Sequence, residues 1–270
     1  MSIILRTIST PLNYPKFTTH RNYVAYMAER SQGLGLFCGN NIRARMNVPD
    51  SVKKKIQLVK ATLKNLQMEA NIVNQHPEYA EVAVSWIPVK SYYLIFNLIS
   101  LLETLVSTDQ GFLAASHSGV LEQFRTLLGN GSLRFTEAVF NEIKTGREIE
   151  AMQVPRAENL RTADGARKEQ IFRKLIDYSK QEMRRRAGVS RLGRAQMARL
   201  RNEQFVLFDL FYWYRIKVNY RDLEFMEEEV PTHEFREFHN NYYILTKNFY
   251  NALKQCLDEV AIIRTGSVLF

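Results

Sequence analysis

Cysteine is nearly missing from this chain. Of 270 residues only Cys38 and Cys256 carry thiols, and neither sits in a CxxC pair or a Cys/His cluster. That excludes a disulfide framework and a zinc site of ordinary spacing, and it fits a reducing, cytoplasmic setting. Long apolar runs are missing too. The opening MSIILRTISTPLNYPK has a three-residue apolar run before Arg6, too short for the core of a signal peptide, so secretion is not expected. The longest apolar segment, YYLIFNLISLLETLV (92–106), is interrupted by Asn97, Ser100 and Glu103 and is shorter than a bilayer-spanning helix, which makes it a core helix. The glycines of GLGLFCGN (33–40) suit a tight loop, but phosphate-loop lysine and GxGxxG spacing are both lacking. No Ser/His/Asp order, paired acidic motif or metal-ligand cluster follows from spacing. Neither a cofactor nor a metal is expected.

What is present is apolar surface and clustered charge. A hydrophobic content of 46% supports a substantial core in one large domain or two small ones. The net charge of +9 is not spread evenly: residues 167–201 hold twelve Lys and Arg against Glu169, Asp177 and Glu182, matching the whole-chain excess. A polyanion or an acidic partner would find its attraction there.

Residues 1–49 are turn-rich, with TPLNYP, SQGLGLFCGNN and MNVPD, and allow short strands near 2–8 and 35–46. From Asp50 the pattern Val52, Ile56, Val59, Leu63, Leu66, Ala70 predicts an amphipathic helix with a lysine-rich outer face. A short helix opened by Pro77, the core helix to Val106, and a helix capped by Ser116 or Ser118 and stopped at Gly129-Asn130-Gly131 come next. Residues 131–201 have fewer aromatics, more charge and two basic helices. Aromatic density returns in EQFVLFDLFYWYRIKVNYRDLEFM (203–226), read as one long helix. The last helix, starting near Thr232, carries Phe235, Phe238, Tyr242, Leu245, Phe249, Leu253, Cys256, Val260 and Ile263 at helical period.

Three stretches in this order, SYYLIFNLISLLETL (91–105), SHSGVLEQF (116–124) and YRIKVNYRD (214–222), resemble the tyrosine helix, the Ser-His-Ser-Gly helix start and the arginine helix of the HEPN family (higher eukaryotes and prokaryotes nucleotide-binding domain). FHNNYYILTKNFYNALK is similar to that family's closing helix. The resemblance implies a mainly α fold, an antiparallel helical bundle, with a few short strands in the N-terminal segment. It divides the chain into an N-terminal extension of unclear structure (1–49), a bundle formed by 50–130 and 202–265, and a basic helical insertion (131–201). It also implies a homodimer with the arginine helix in a cleft, and RNA binding or cleavage in a toxin-antitoxin or phage-defence system. The alternative it carries is a non-catalytic dimeric module that partners a nucleotidyltransferase or binds nucleic acid without chemistry. No membrane is expected as partner.

Members that cut RNA usually carry an arginine followed by about four to six residues and then a histidine, a phosphate-binding cation beside a group that transfers protons near neutral pH. None of His20, His76, His117, His233 or His239 lies there, and Asn219 stands where related sequences often have Asp. The candidate catalytic set of a metal-independent endoribonuclease is therefore Arg215, Asn219, Tyr220 and Asp222 on one stripe, with His117 reaching them through the fold. The bland reading is a helix-end network in which Arg215 pairs with Asp222 and His117 belongs to a capped helix start. For nucleic-acid binding the candidates are Lys174, Lys180, Arg184, Arg185, Arg186, Arg191, Arg194, Arg199 and Arg201, whose bland reading is a solvated helical face. The aromatic run 205–214 and Tyr92, Tyr93 and Phe96 are read as core or dimer interface.

Overall fold

The computed structural model describes residues 14–39, 50–106, 117–153, 168–220 and 230–270. The fold is mainly α, with ten helices among the described residues and only short antiparallel strands. Helix α1 spans Tyr14–Arg30, α2 Asp50–Gln75, α3 Ala80–Ala83, α4 Ile87–Val106 and α5 His117–Gly129. Helix α6 spans Gly146–Ala151, α7 Lys168–Ala187, α8 Arg194–Asn202, α9 Asp209–Tyr220 and α10 Thr232–Thr265. Strands β1 (Leu36–Cys38) and β2 (Leu133–Phe135) pair with Leu36 opposite Phe135, while β3 (Lys144–Thr145) pairs with β4 (Gln204–Phe205).

The 3-4 spacing of α2 does what its pattern predicts: Val52, Ile56, Val59, Leu66 and Ala70 are buried, Leu63 is partly so, and Lys53, Lys54, Lys60 and Lys64 face solvent. Helix α4 is apolar nearly all round because it is covered by α2, α5, α9 and α10. It is the one described helix long and apolar enough to cross a membrane, and 72% of its apolar window is buried inside the protein. Helix α10 runs along α4 and turns the predicted aromatic ridge inward. Phe249 is its hub, with ring centroids 4.9 Å from Phe140, 5.4 Å from Phe135 and 5.6 Å from both Phe208 and Phe211. Ile263, expected on that ridge, is exposed instead, because the buried stripe continues through Val260, Ala261 and Arg264.

Two segments differ from the sequence expectation. Residues 14–30, read from the sequence as part of a turn-rich segment, form a helix, α1, packed on α10. Phe17, Val24 and Met27 are buried at helical spacing, and the missing member of that stripe is His20, 1% exposed, whose Nδ1 lies 3.2 Å from the Tyr214 hydroxyl. The possible strand at 2–8 lies outside the described residues, and the one near 35–46 is present as β1. The helix expected from 203 starts only at Asp209. Its carboxylate accepts the Val206 N–H at 3.0 Å and the Arg125 guanidinium at 2.7 Å, so the chain enters α9 from a turn that follows β4. The apolar residues of α7, α8 and β2 join the same buried cluster as those of α2, α4 and α10, so the described residues of 131–201 share the main core.

Candidate functional site

Consecutive residues of a helix point about 100° apart, and the Tyr92-Tyr93 pair straddles the edge of the buried face of α4. Tyr92 goes inward, 1% exposed, and Tyr93 outward, 38% exposed. Phe96, one turn beyond Tyr92, stacks on its ring at 5.7 Å. Against this aromatic edge α5 brings His117, its first residue. The His117 ring lies 4.3 Å from Phe96, and its Nδ1 is 3.0 Å from the Tyr92 hydroxyl.

Helix α9 approaches the same edge with Tyr212 and Arg215, three apart and on one face. The Arg215 guanidinium carbon sits 4.8 Å from the Tyr92 ring centroid and 5.6 Å from those of Tyr93 and Tyr212. Its Nη1 donates to the Tyr93 hydroxyl at 3.1 Å, and its buried Nε has no partner among the described residues. A planar guanidinium over three ring faces is held by cation-π attraction, which fixes its orientation without neutralising its charge.

Electrostatics follow from that placement. Partial burial, with the Arg215 charge beside it, holds the His117 imidazole below its ordinary range, so it is neutral at physiological pH. Burial pushes the Tyr92 hydroxyl above its ordinary range, partly opposed by Arg215. A fixed cation and a neutral imidazole thus meet on one phenol. That arrangement can hold an anion and accept a proton beside it.

Of the predicted catalytic residues, Arg215 and His117 are brought together although 98 positions separate them in the chain. Asn219 and Tyr220 lie in the last turn of α9, and Asp222, like the proposed Arg215–Asp222 pair, lies outside the described residues. Sequence reasoning placed Tyr92, Tyr93 and Phe96 in a core or interface. Tyr93 and Tyr212 also form part of the arginine's cradle, a role that no local spacing in the sequence signalled.

The nine predicted basic residues separate into two groups. Glu182, held below its ordinary pKa because the Arg185 and Arg186 hydrogen bonds outweigh its burial, takes Arg185 at 2.7 Å and Arg186 at 2.8 Å. Glu150 takes Lys180 at 3.3 Å and Arg201 at 3.0 Å, and Lys174 lies 5.3 Å from the Tyr178 ring centroid. Arg184, Arg191, Arg194 and Arg199 are exposed and make no ion pair among the described residues. Between α7 and α8 lies a cavity of about 650 Å³ lined by Lys180, Arg184, Arg191, Arg194 and Arg201, with Leu192 and Met197 as its apolar part.

The two regions adjoin. Arg186, at the end of α7, interacts with Tyr212 as well as with Glu182, and both raise its pKa against the cost of burial. Tyr212 therefore stands between Arg215 on one side and the basic end of α7 on the other. Among the described residues no group of three or more His, Cys, Asp or Glu is placed to share a metal ion. Comparison with protein-family models, curated proteins and solved structures returns no match to this chain.

Proposed function

We propose that this chain is a HEPN-like RNA-binding protein that cleaves RNA without a metal ion, in a cytoplasmic toxin-antitoxin or phage-defence setting. The observation that carries the reading is the meeting of Arg215 and His117 on Tyr92. Here the arginine-histidine pair is assembled across α9 and α5 rather than within one helix. Arg215 binds the scissile phosphate and stabilises the charge that builds on its oxygens. His117, with Nδ1 engaged by the Tyr92 hydroxyl, uses Nε2 to take the proton from the ribose 2′-hydroxyl. The 2′-oxygen attacks the adjacent phosphorus, and the bond to the 5′-oxygen breaks. The departing 5′-oxygen takes a proton from water, the hydroxide so formed takes back the proton held by His117, and a 2′,3′-cyclic phosphate is left on the upstream strand. The exposed arginines of α7 and α8 guide the polyanion toward this edge.

A second reading is a non-catalytic dimeric module that binds nucleic acid or a nucleotidyltransferase. It is supported by Asn219 standing in place of an acid, and by the aromatic cradle that already occupies much of the Arg215 guanidinium. Incubation of purified protein with end-labelled RNA separates the two. Cleavage lost in Arg215→Ala and in His117→Ala supports the enzyme. Salt-sensitive binding by all three proteins with no cleavage supports the module.

A further inference from the structure

The cavity between α7 and α8 has a chemistry of its own. Five cationic side chains from two helices and their connecting turn converge on it, and among the described residues no carboxylate lines it. Glu150 compensates Lys180 and Arg201, which leaves Arg184, Arg191 and Arg194 as three guanidiniums around one concavity with no ion-pair partner among the described residues. Cations gathered in one concavity raise the local positive potential, and an anion that enters lowers their mutual repulsion. The first turn of α8 adds to it: Arg194 is its first residue, and the helix start carries free N–H groups and the positive end of the dipole.

The ligand class follows from what the lining offers and lacks. Guanidiniums pair with phosphate oxygens in a two-pronged fork, and three of them match a group bearing about three negative charges. No aromatic ring lines the cavity, so nothing there would stack on a base. A volume of about 650 Å³ is generous for one phosphate and suits a linked series. A nucleic-acid backbone tracked along a surface would need charges strung out along a face, whereas these converge. We propose that this cavity is a binding site for a compact di- or triphosphate group, belonging either to a free nucleotide or to the 5′ end of an RNA strand. It adjoins the Arg215 edge but shares no lining residue with it, and it does not depend on the RNA reading.

The test is isothermal titration of the full chain at fixed ionic strength with sodium tripolyphosphate, pyrophosphate and orthophosphate. Tripolyphosphate should bind about tenfold or more tighter than orthophosphate. The Arg191→Gln/Arg194→Gln double variant should weaken it by about tenfold or more. Arg199→Gln removes an equally exposed charge outside the cavity and should change it by less than about twofold. All these side chains are exposed, so unchanged thermal melting should accompany the losses. Competition by adenosine triphosphate identifies a free nucleotide as the source, and competition by a short 5′-triphosphorylated RNA but not its 5′-hydroxyl counterpart identifies a strand end; either supports the site. Tripolyphosphate binding no better than sulfate, an equal loss in Arg199→Gln, or competition by neither ligand overturns it. Arg215→Ala should retain tripolyphosphate binding. If that binding persists while wild type neither binds nor cuts RNA, the RNA reading fails and this one stands.

Discussion

Arg215 Nη1 donates to the Tyr93 hydroxyl at 3.1 Å while the same guanidinium lies over the rings of Tyr92 and Tyr212. The bond fixes the fork at its outer end, and the rings fix its plane, so the cation is set before any ligand arrives. Preorganised charge of this kind is worth more than a mobile side chain that must be ordered during binding.

His117 should report that charge. Its pKa is held below the ordinary value of 6.5 by burial first and by Arg215 second. An NMR titration of the His117 ring should therefore give a higher pKa in Arg215→Gln than in wild type. The linkage follows: the folded chain binds fewer protons here than the unfolded chain. The contribution to stability is full above the unfolded pKa and is lost as pH falls through the lowered folded value. Equal pKa values in the two proteins would show that Arg215 does not act on His117.

Glu103 gives the opposite slope. It is 2% exposed, neither carboxylate oxygen has a hydrogen-bond partner among the described residues, and Lys55 donates to Ser100 at 2.6 Å. Burial pushes this carboxyl up to about 8, against a smaller pull from Lys55. The fold thus retains a proton that the unfolded chain releases near its ordinary 4.5, and stability declines as pH rises between those values. Glu103→Gln should flatten the decline, raising the thermal midpoint at pH 8 while leaving it little changed at pH 5. A variant whose midpoint follows the wild-type pH profile would remove Glu103 as its source.

Much of the bundle was legible because period and burial agree. The stripes of α2 and α10 could be followed residue by residue up to Ile263. Helix α1 was hidden because one position of its stripe is His20, which counts as polar in any pattern but is buried against Tyr214. The start of α9 was hidden because the aromatic run has no break. Its boundary is set by Asp209 and Arg125, a long-range pair no local window contains. The stripe through Arg215 named one member of the site. The others are Tyr212, one turn earlier on α9, and residues of α4 and α5, and Glu182 and Glu150 decided which basic residues keep an ion pair.

Gly146 holds the basic region in position by having no side chain. A Cβ there would lie 2.2 Å from the Leu200 carbonyl oxygen, and the Gly146 N–H donates to Glu203 O at 2.9 Å. Gly146→Ala should force α6 and α8 apart and cost about 1–3 kcal/mol. A denaturant titration should show the midpoint lowered; an unshifted midpoint would mean the close approach is not required.

Salt dependence should divide the arginine triplet. Arg184 makes no ion pair among the described residues, whereas Arg185 and Arg186 are tied to Glu182. Arg184→Gln should lower the slope of log affinity for single-stranded RNA against log salt by about 0.7, the value of one phosphate contact. Arg185→Gln should lower it less. Equal slopes for the two variants would show that Glu182 does not hold its arginines out of contact.

The most direct test of the central claim is cleavage of end-labelled RNA in the presence of a chelator by wild type, Arg215→Ala and His117→Ala. The account predicts wild-type products ending in a 2′,3′-cyclic phosphate and a rate reduced about a hundredfold or more in each variant, the cost of removing a group that acts at the transition state. RNA left intact by wild type, or cut equally by all three proteins, would contradict it.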